Sequence, residues 1–418
     1  MAVSTNAHLR LLDRPCGSGK TTEMIKSFKP DQRYLVVVPL LTEVERVIAL
    51  SDVAFAQPEE TTDYGTKEAH LEILLRKKRN VVTTHALYQN ILRHVRMGLL
   101  DGYHIIIDEV PDVLEIVGSV SKVSLEEFYV GLGYVELDDD GRLLPTKKWR
   151  EYSDVVSDTL SSKVFNLASL GLLHHFDDEF IIWGYPKELL SAGLSVTVMT
   201  YLAEGTLLYR YLLRNKIPFV HDVDPLAARK AQRDALDLVE IRSVPRLKKH
   251  KWSYTAQGSF TKAEAKEVAD GLLGIRRKDL LGVSLDQVLV VCRKDRWFLK
   301  GNDHKTKRKQ GPFAMGSKLF KEARWLPNTT RGTNDYAGAA HMIYLYDQFV
   351  NPVYLRFLGI EDKTAFNEQY ALAELVQVIY RTAVRRGEKV VVYIPSERMR
   401  RVFEDYRNSE LAALPLAA

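Results

Sequence analysis

Leu11-Leu12-Asp13-Arg14-Pro15-Cys16-Gly17-Ser18-Gly19-Lys20-Thr21-Thr22 joins an apolar run to a helical one. Leu9, Leu11 and Leu12 predict a strand, and Glu23-Met24-Ile25-Lys26-Ser27-Phe28 the start of a helix. Strand, glycine turn, Lys-Thr and helix make a phosphate loop. Gly17 and Gly19 let the backbone curl until its N–H groups face a phosphate at the helix N-terminus. Lys20 is then placed to reach the β and γ phosphates, and the Thr21 hydroxyl to hold Mg²⁺. The usual pattern has Gly five residues before Gly19, where this chain has Arg14; Gly17-Ser18-Gly19-Lys20-Thr21 is intact.

Working outward, Tyr34-Leu35-Val36-Val37-Val38, Asn80-Val81-Val82-Thr83-Thr84 and Tyr103-His104-Ile105-Ile106-Ile107 are continuous β-rich runs. Such runs mark buried parallel strands, and their alternation with helical stretches predicts a parallel α/β sheet. The third runs into Asp108-Glu109, two acids at the carboxyl end of a strand, where open α/β sheets bind ligands. Asp108 is the candidate Mg²⁺ ligand beside Thr21, and Glu109 the candidate to orient or deprotonate an attacking water. Residues 112–185 look like an insertion. They hold a capping box at Ser124-Leu125-Glu126-Glu127, a hairpin around Asp138-Asp139-Asp140-Gly141 and a helical stretch from Trp149 to about Leu170. His174-His175 lacks metal spacing and is expected to be structural. Phe180-Ile181-Ile182-Trp183 and Ser195 to Thr200 restore the strand pattern.

Residues 222–235, with a proline and many charges, are the expected linker. A second α/β pattern follows, without a phosphate loop of its own. Its predicted strands are 236–241, 287–292, 341–346 and 389–394, with a Thr261-Lys262-Ala263-Glu264 capping box and a helix over about 365–386. This places one domain at 1–222 and another at 223–418. Between the second pattern's strands, residues 293–331 carry twelve Lys and Arg against three acids, interleaved with Trp297, Phe298, Phe313, Phe320 and Trp325. Bases that neutralise phosphates beside aromatics that stack on nucleobases predict a single-strand surface. A second basic run, Arg246 to Trp252, is expected to extend it. Arg381 and Arg385, four apart, are expected on one helix face and able to reach a γ-phosphate across a cleft.

At 418 residues the chain is long enough for two or three cores, and 46% hydrophobic with 27% charged residues is ordinary for a globular protein. The net charge of +5 hides an acidic first half and a basic second half, which points to a polyanion handled mainly by the second. Cys16 and Cys292 alone exclude a disulfide framework or a cysteine zinc site. No apolar run is long enough to cross a bilayer, and no signal-peptide pattern opens the chain, so a cytoplasmic protein without membrane partners is expected.

In this order the stretches resemble the superfamily 2 (DExx-box) helicases and translocases. Arg14 to Thr21 is similar to their motif I, in the version with Pro second found in herpesvirus-type origin-binding helicases. Asp108-Glu109-Val110-Pro111 is similar to motif II. Pro39-Leu40-Leu41 and Thr83-Thr84-His85-Ala86-Leu87 sit where such proteins grip DNA. Thr197 to Thr200, Val288 to Cys292, Arg331-Gly332-Thr333-Asn334-Asp335 and Gln377 with Arg381 and Arg385 match motifs III to VI. The resemblance covers most of both α/β domains and omits residues 112–185. It departs at Arg14, in having no adenine-reading Gln element, and in an arginine gap of four where three is usual, so Arg386 rivals Arg385.

The resemblance implies two RecA-like parallel-sheet domains in tandem, with an α+β insertion in the first. It further implies an ATPase stimulated by nucleic acid that moves on or unwinds DNA, with ATP and Mg²⁺ between the domains. Pro15, Cys16, Gly17, Ser18, Gly19, Lys20, Thr21, Thr22, Gly332, Asn334, Asp335 and Gln377 would surround the nucleotide. Lys20, Asp108, Glu109, Arg381 and Arg385 would carry the chemistry. Thr84, His85, Lys305, Lys307, Arg308, Lys309, Trp325 and Arg331 would meet single-stranded or forked DNA, with RNA as the alternative. Compact length and the insertion suggest a phage or mobile-element protein acting with replication or recombination proteins in a host cytoplasm. A packaging-type motor and a regulator that uses ATP as a conformational ligand are the rival readings.

Overall fold

The computed structural model describes residues 8–151, 162–299, 309–320, 322–327 and 335–409. Six strands form a first, wholly parallel sheet. In spatial order they are Phe219–Val223, Leu9–Asp13, Ser195–Thr200, Tyr103–Asp108, Arg33–Val38 and Val81–Thr84. The apolar runs are continuous because both faces are covered. Leu35, Val37, Ile105 and Ile107 enter one core, while Tyr34, Val36, Val38 and Ile106 enter the other. Asp13, Thr200 and Asp108 end adjacent strands and so lie along one edge of this sheet.

Five strands form a second parallel sheet, in the order Val239–Ser243, Val390–Ile394, His341–Tyr344, Val288–Val291 and Arg324–Leu326. It is likewise packed on both faces, with Leu289, Val291, Met342 and Val392 on one side and Val288, Val290, Ile343 and Tyr393 on the other. The architecture is α/β with two RecA-like parallel-sheet layers in tandem.

The chain between Glu109 and Ser195 builds a three-stranded antiparallel sheet (Leu114–Ser119, Phe180–Gly184 and Leu173–Phe176) and a hairpin of Val135–Leu137 with Leu143–Pro145. Leu114, Leu173, Ile182 and Trp183 merge with the core of the first sheet, so the described residues of this segment share that core. Asp138 accepts from the backbone N–H groups of Asp140 and Arg142, which makes the acidic tip a turn. His174 lies edge-on to Phe357.

Several local expectations are corrected. The expected linker 222–235 is the helix Pro225–Leu238: Asp224 caps it, Pro225 fits its first turn, and Ala231 and Ala235 pack into the second core. The strand placed at 236–241 therefore begins at Val239. Ser121, not Ser124, caps the short helix Lys122–Ser124, which passes into a wider turn over Leu125–Val130. Thr261 and Glu264 do form a reciprocal capping box. The helix expected to reach residue 386 is Lys363–Ile379, so Arg381 and Arg385 do not share a helix face.

The aromatics of the basic stretch are also corrected. Trp297 and Phe313 are fully buried, and Phe298, Phe320 and Trp325 are half-buried against the same core, so burial removes Trp297 and Phe313 from the rings assigned to base stacking. In the Arg246 to Trp252 run, Leu247 and Trp252 are core residues, while Lys248 pairs with Glu397 and Lys249 with Glu267.

Candidate nucleotide site between the two sheets

The turn after Leu9–Asp13 is the phosphate loop in three dimensions. Gly17 and Gly19 have φ of +82° and +85°, left-handed values that favour glycine, and the helix Lys20–Lys26 starts immediately after. Pro15 is buried beneath the loop. The Lys20 ammonium donates to the carbonyls of Arg14 and Thr200, both at 3.2 Å. It is thus held across the loop by acceptors that a phosphate can replace.

Arg14 points away from this loop. Its guanidinium donates to the Asp222 carbonyl at 2.7 Å and to the Asp222 carboxylate at 2.9 Å, on the neighbouring edge strand. Its own N–H donates to Thr200. The basic side chain in the glycine position is part of the sheet edge.

Across the sheet edge, the Thr21 hydroxyl donates to Asp108 at 3.1 Å. Asp108 is buried, and burial, with the charge of Glu109 beside it, pushes its pKa up to about 6. Lys20, Thr21 and Arg46 oppose that rise. Glu109 has φ of +67°, an uncommon conformation for a non-glycine residue, and its N–H donates to Met199. This kink turns the carboxylate out of the strand line, where Arg381 of the second half reaches it at 3.4 Å. Burial pushes the Cys16 thiol up, away from the thiolate that a nucleophile requires.

Cys16, Gly17, Gly19, Lys20, Thr21, Thr22, Asp108 and Glu109 line a single cavity with Gln377, Arg381 and Arg385 from the second half. The two arginines get there by different means, Arg381 from the turn after Ile379 and Arg385 from a short 3-10 turn. The Cγ of Arg385 lies 3.7 Å from where a Cβ on Gly17 would be. Ser18 lines a second cavity, with Arg14 and Lys20. Asp335 is exposed and outside the lining.

His85 lines an adjoining cavity, its ring nitrogen 2.8 Å from the Asp108 carbonyl, and Thr84 ends the neighbouring strand. Lys309 is exposed on the two-residue strand Lys309–Gln310, and Trp325 is half-buried, its indole N–H donating to Cys292. Neither lines the cavity. Lys305, Lys307, Arg308, Arg331, Gly332 and Asn334 lie outside the described residues.

Four lining residues carried no signal in the sequence: Glu43, Arg46, Tyr201 and Tyr380. Glu43 and Arg46 have the spacing of an ordinary surface pair on a helix. Tyr201 meets Tyr406 of the second half, hydroxyl to hydroxyl at 2.7 Å, and belongs to the second core.

A hydroxyl and a carboxylate side by side suit a hard cation such as Mg²⁺, and glycine backbone with Lys20 suits a polyphosphate. Among the described residues there is no group of three or more His, Cys, Asp or Glu that could hold a metal, and no helix is long and apolar enough to cross a membrane.

Comparison with known proteins agrees with this geometry at the level of fold. A family model described as the YonV C-terminal Rossmann-like domain matches residues 234–407. The SPbeta prophage-derived uncharacterized protein YonV of Bacillus subtilis (strain 168) is 24% identical, over 96% of this chain and 99% of that protein. An XPD helicase structure superposes with a TM-score of 0.55 at 15% identity, covering 96% of this chain and 94% of that one. The S. tokodaii Xpd4 structure gives 0.52 at 14% identity, covering 97% and 95%. The chain shares the fold of these structures, two RecA-like parallel-sheet domains in tandem.

Proposed function

We propose that this chain is a Mg²⁺-dependent ATPase, stimulated by nucleic acid, that translocates on or unwinds DNA. The observation that carries the reading is the convergence of Lys20, the Thr21–Asp108 pair and the Glu109–Arg381 pair in one cavity between two parallel sheets. The loop from Pro15 to Thr22 would bind the phosphates, and Lys20 would leave the Arg14 and Thr200 carbonyls for them. Thr21 and Asp108 would hold Mg²⁺, which neutralises phosphate charge when bound. Glu109 would orient the attacking water and accept its proton. Arg381 and Arg385 would meet charge developing on the γ-phosphate, so hydrolysis would depend on the second half closing on the first. Gln377 would contact the nucleotide from the same side, and Gly332, Asn334 and Asp335 are proposed to approach it in the closed state.

Nucleic acid is proposed to run past Thr84 and His85 and the basic stretch around Lys309. The helicase named among the structural neighbours supports this use of the fold, and the prophage origin of YonV supports a phage-type motor working in a host cytoplasm. Steady-state ATPase assays with and without single-stranded DNA or RNA test the reading. Stimulated turnover that Lys20→Ala abolishes while DNA binding persists is the expected result. Turnover that neither nucleic acid raises would overturn the motor, and full activity in Glu109→Gln would overturn the role of Glu109.

A further inference from the structure

The helix Leu41–Leu50, which follows the second strand, puts Glu43 and Arg46 on the cavity wall with Lys20, Thr21, Asp108 and Glu109. Arg46 Nε lies 3.1 Å from the Glu43 carboxylate. Two features separate them from a solvated surface pair. Glu43 is only 8% exposed, a third acid in the wall beside Asp108 and Glu109. Arg46 Nε is itself shielded from solvent and, despite the short separation, makes no hydrogen bond of acceptable geometry. The pair is close and imperfectly bonded, with the acid buried and the arginine half-buried.

Its surroundings extend across the cleft. Glu43 and Arg46 share that cavity with Asp108, the proposed cation ligand, and with Arg385 of the second half. Arg385 in turn packs over Gly17 of the phosphate loop. Glu43 is therefore paired with Arg46 of the first half in a cavity that Arg385 of the second half also lines.

We infer that Arg46 reads the γ-phosphate from the first domain, and that Glu43 holds its guanidinium in place until a triphosphate arrives. This rests on the proposed ATP site. A planar guanidinium binds phosphate oxygens through two parallel N–H bonds, a better arrangement than the one it has with Glu43. The incoming phosphate displaces Glu43, whose charge is then left to Arg385. The exchange links the presence of the third phosphate to the position of the second half. ADP lacks the displacing group and leaves the Glu43–Arg46 pair in place.

The test is equilibrium titration of the full chain with Mg²⁺ and either ADP or a non-hydrolysable ATP analogue. Arg46→Gln is expected to leave ADP affinity nearly unchanged and to weaken the analogue about ten-fold, the scale of one charge-assisted hydrogen bond. Arg46→Lys recovers part of the loss. Glu43→Gln removes the competitor, so the analogue binds more tightly and ADP as before. Equal effects on both nucleotides, or none, overturn the inference. If Arg46→Gln fails to fold, Glu43→Gln decides alone: unchanged discrimination overturns it. Wild-type protein that binds neither nucleotide would instead overturn the ATP site itself.

Discussion

Asp108 is 7% exposed at the end of a central strand, with its pKa raised from 3.8 to about 6. The folded value lies above the unfolded one, so the carboxylate destabilises the fold at neutral pH. That cost shrinks as pH falls through about 6 and disappears below about 4. Asp108→Asn keeps an acceptor for Thr21 and removes the charge. It is expected to stabilise the protein by roughly 1–3 kcal/mol at neutral pH, seen in thermal melts, with the gain vanishing near pH 4. Turnover should be lost in the same variant, which separates a functional carboxylate from a structural one. Arg14 makes the opposite case. Its backbone is not left-handed, and its guanidinium is bound to Asp222. Arg14→Ala is expected to lower stability by about 1 kcal/mol, since the pair is largely shielded, while leaving the KM for ATP within about two-fold. A large rise in KM would mean that the side chain swings to the nucleotide.

Among the elements, the helix Pro225–Leu238 shows how composition misleads. Its charges suggest a linker, yet Asp224 accepts from the N–H groups of Leu226 and Ala227, and the small residues Ala231 and Ala235 fit against the second core. Asp224→Ala is expected to cost about 1 kcal/mol, measured by denaturant unfolding, with no change in nucleotide affinity. The helix Lys363–Ile379 misleads in the other direction. Its periodicity runs on past Ile379, but the backbone turns at Tyr380, and Thr382 is extended. That break lets Arg381 reach Glu109 while Arg385 packs over Gly17, two targets that one helix face does not serve.

In the whole molecule, the two halves meet at several places besides the cavity. A Cβ on Gly205 would come within 2.4 Å of the Gln369 carbonyl and 3.2 Å of the Ala373 side chain, so the turn Ala203–Gly205 and the helix Lys363–Ile379 touch backbone to backbone. Val353, Phe357 and Leu358, late in the sequence, are buried in the first core. Gly205→Leu is expected to wedge the halves apart. ADP would still bind the phosphate loop, turnover would fall by about 100-fold or more as the arginines withdraw, and the radius of gyration would rise in solution scattering. Normal turnover in that variant would show that closure does not depend on this contact.

The sequence alone determined what depends on near neighbours. Strand runs buried on both faces are continuously apolar, a phosphate loop needs its glycines in order, and Asp108-Glu109 follows its strand directly. These local constraints made two α/β domains and the core of the candidate site legible. Tertiary structure decided what depends on distant partners. Arg14 finds Asp222 across 208 positions, and Arg381 finds Glu109 across 272. Glu43 and Arg46 become part of a nucleotide site only because a helix packs there. Trp297 and Phe313 become core because hydrophobic burial outweighs exposure in a basic loop. Periodicity records which face of an element is covered, but not what covers it.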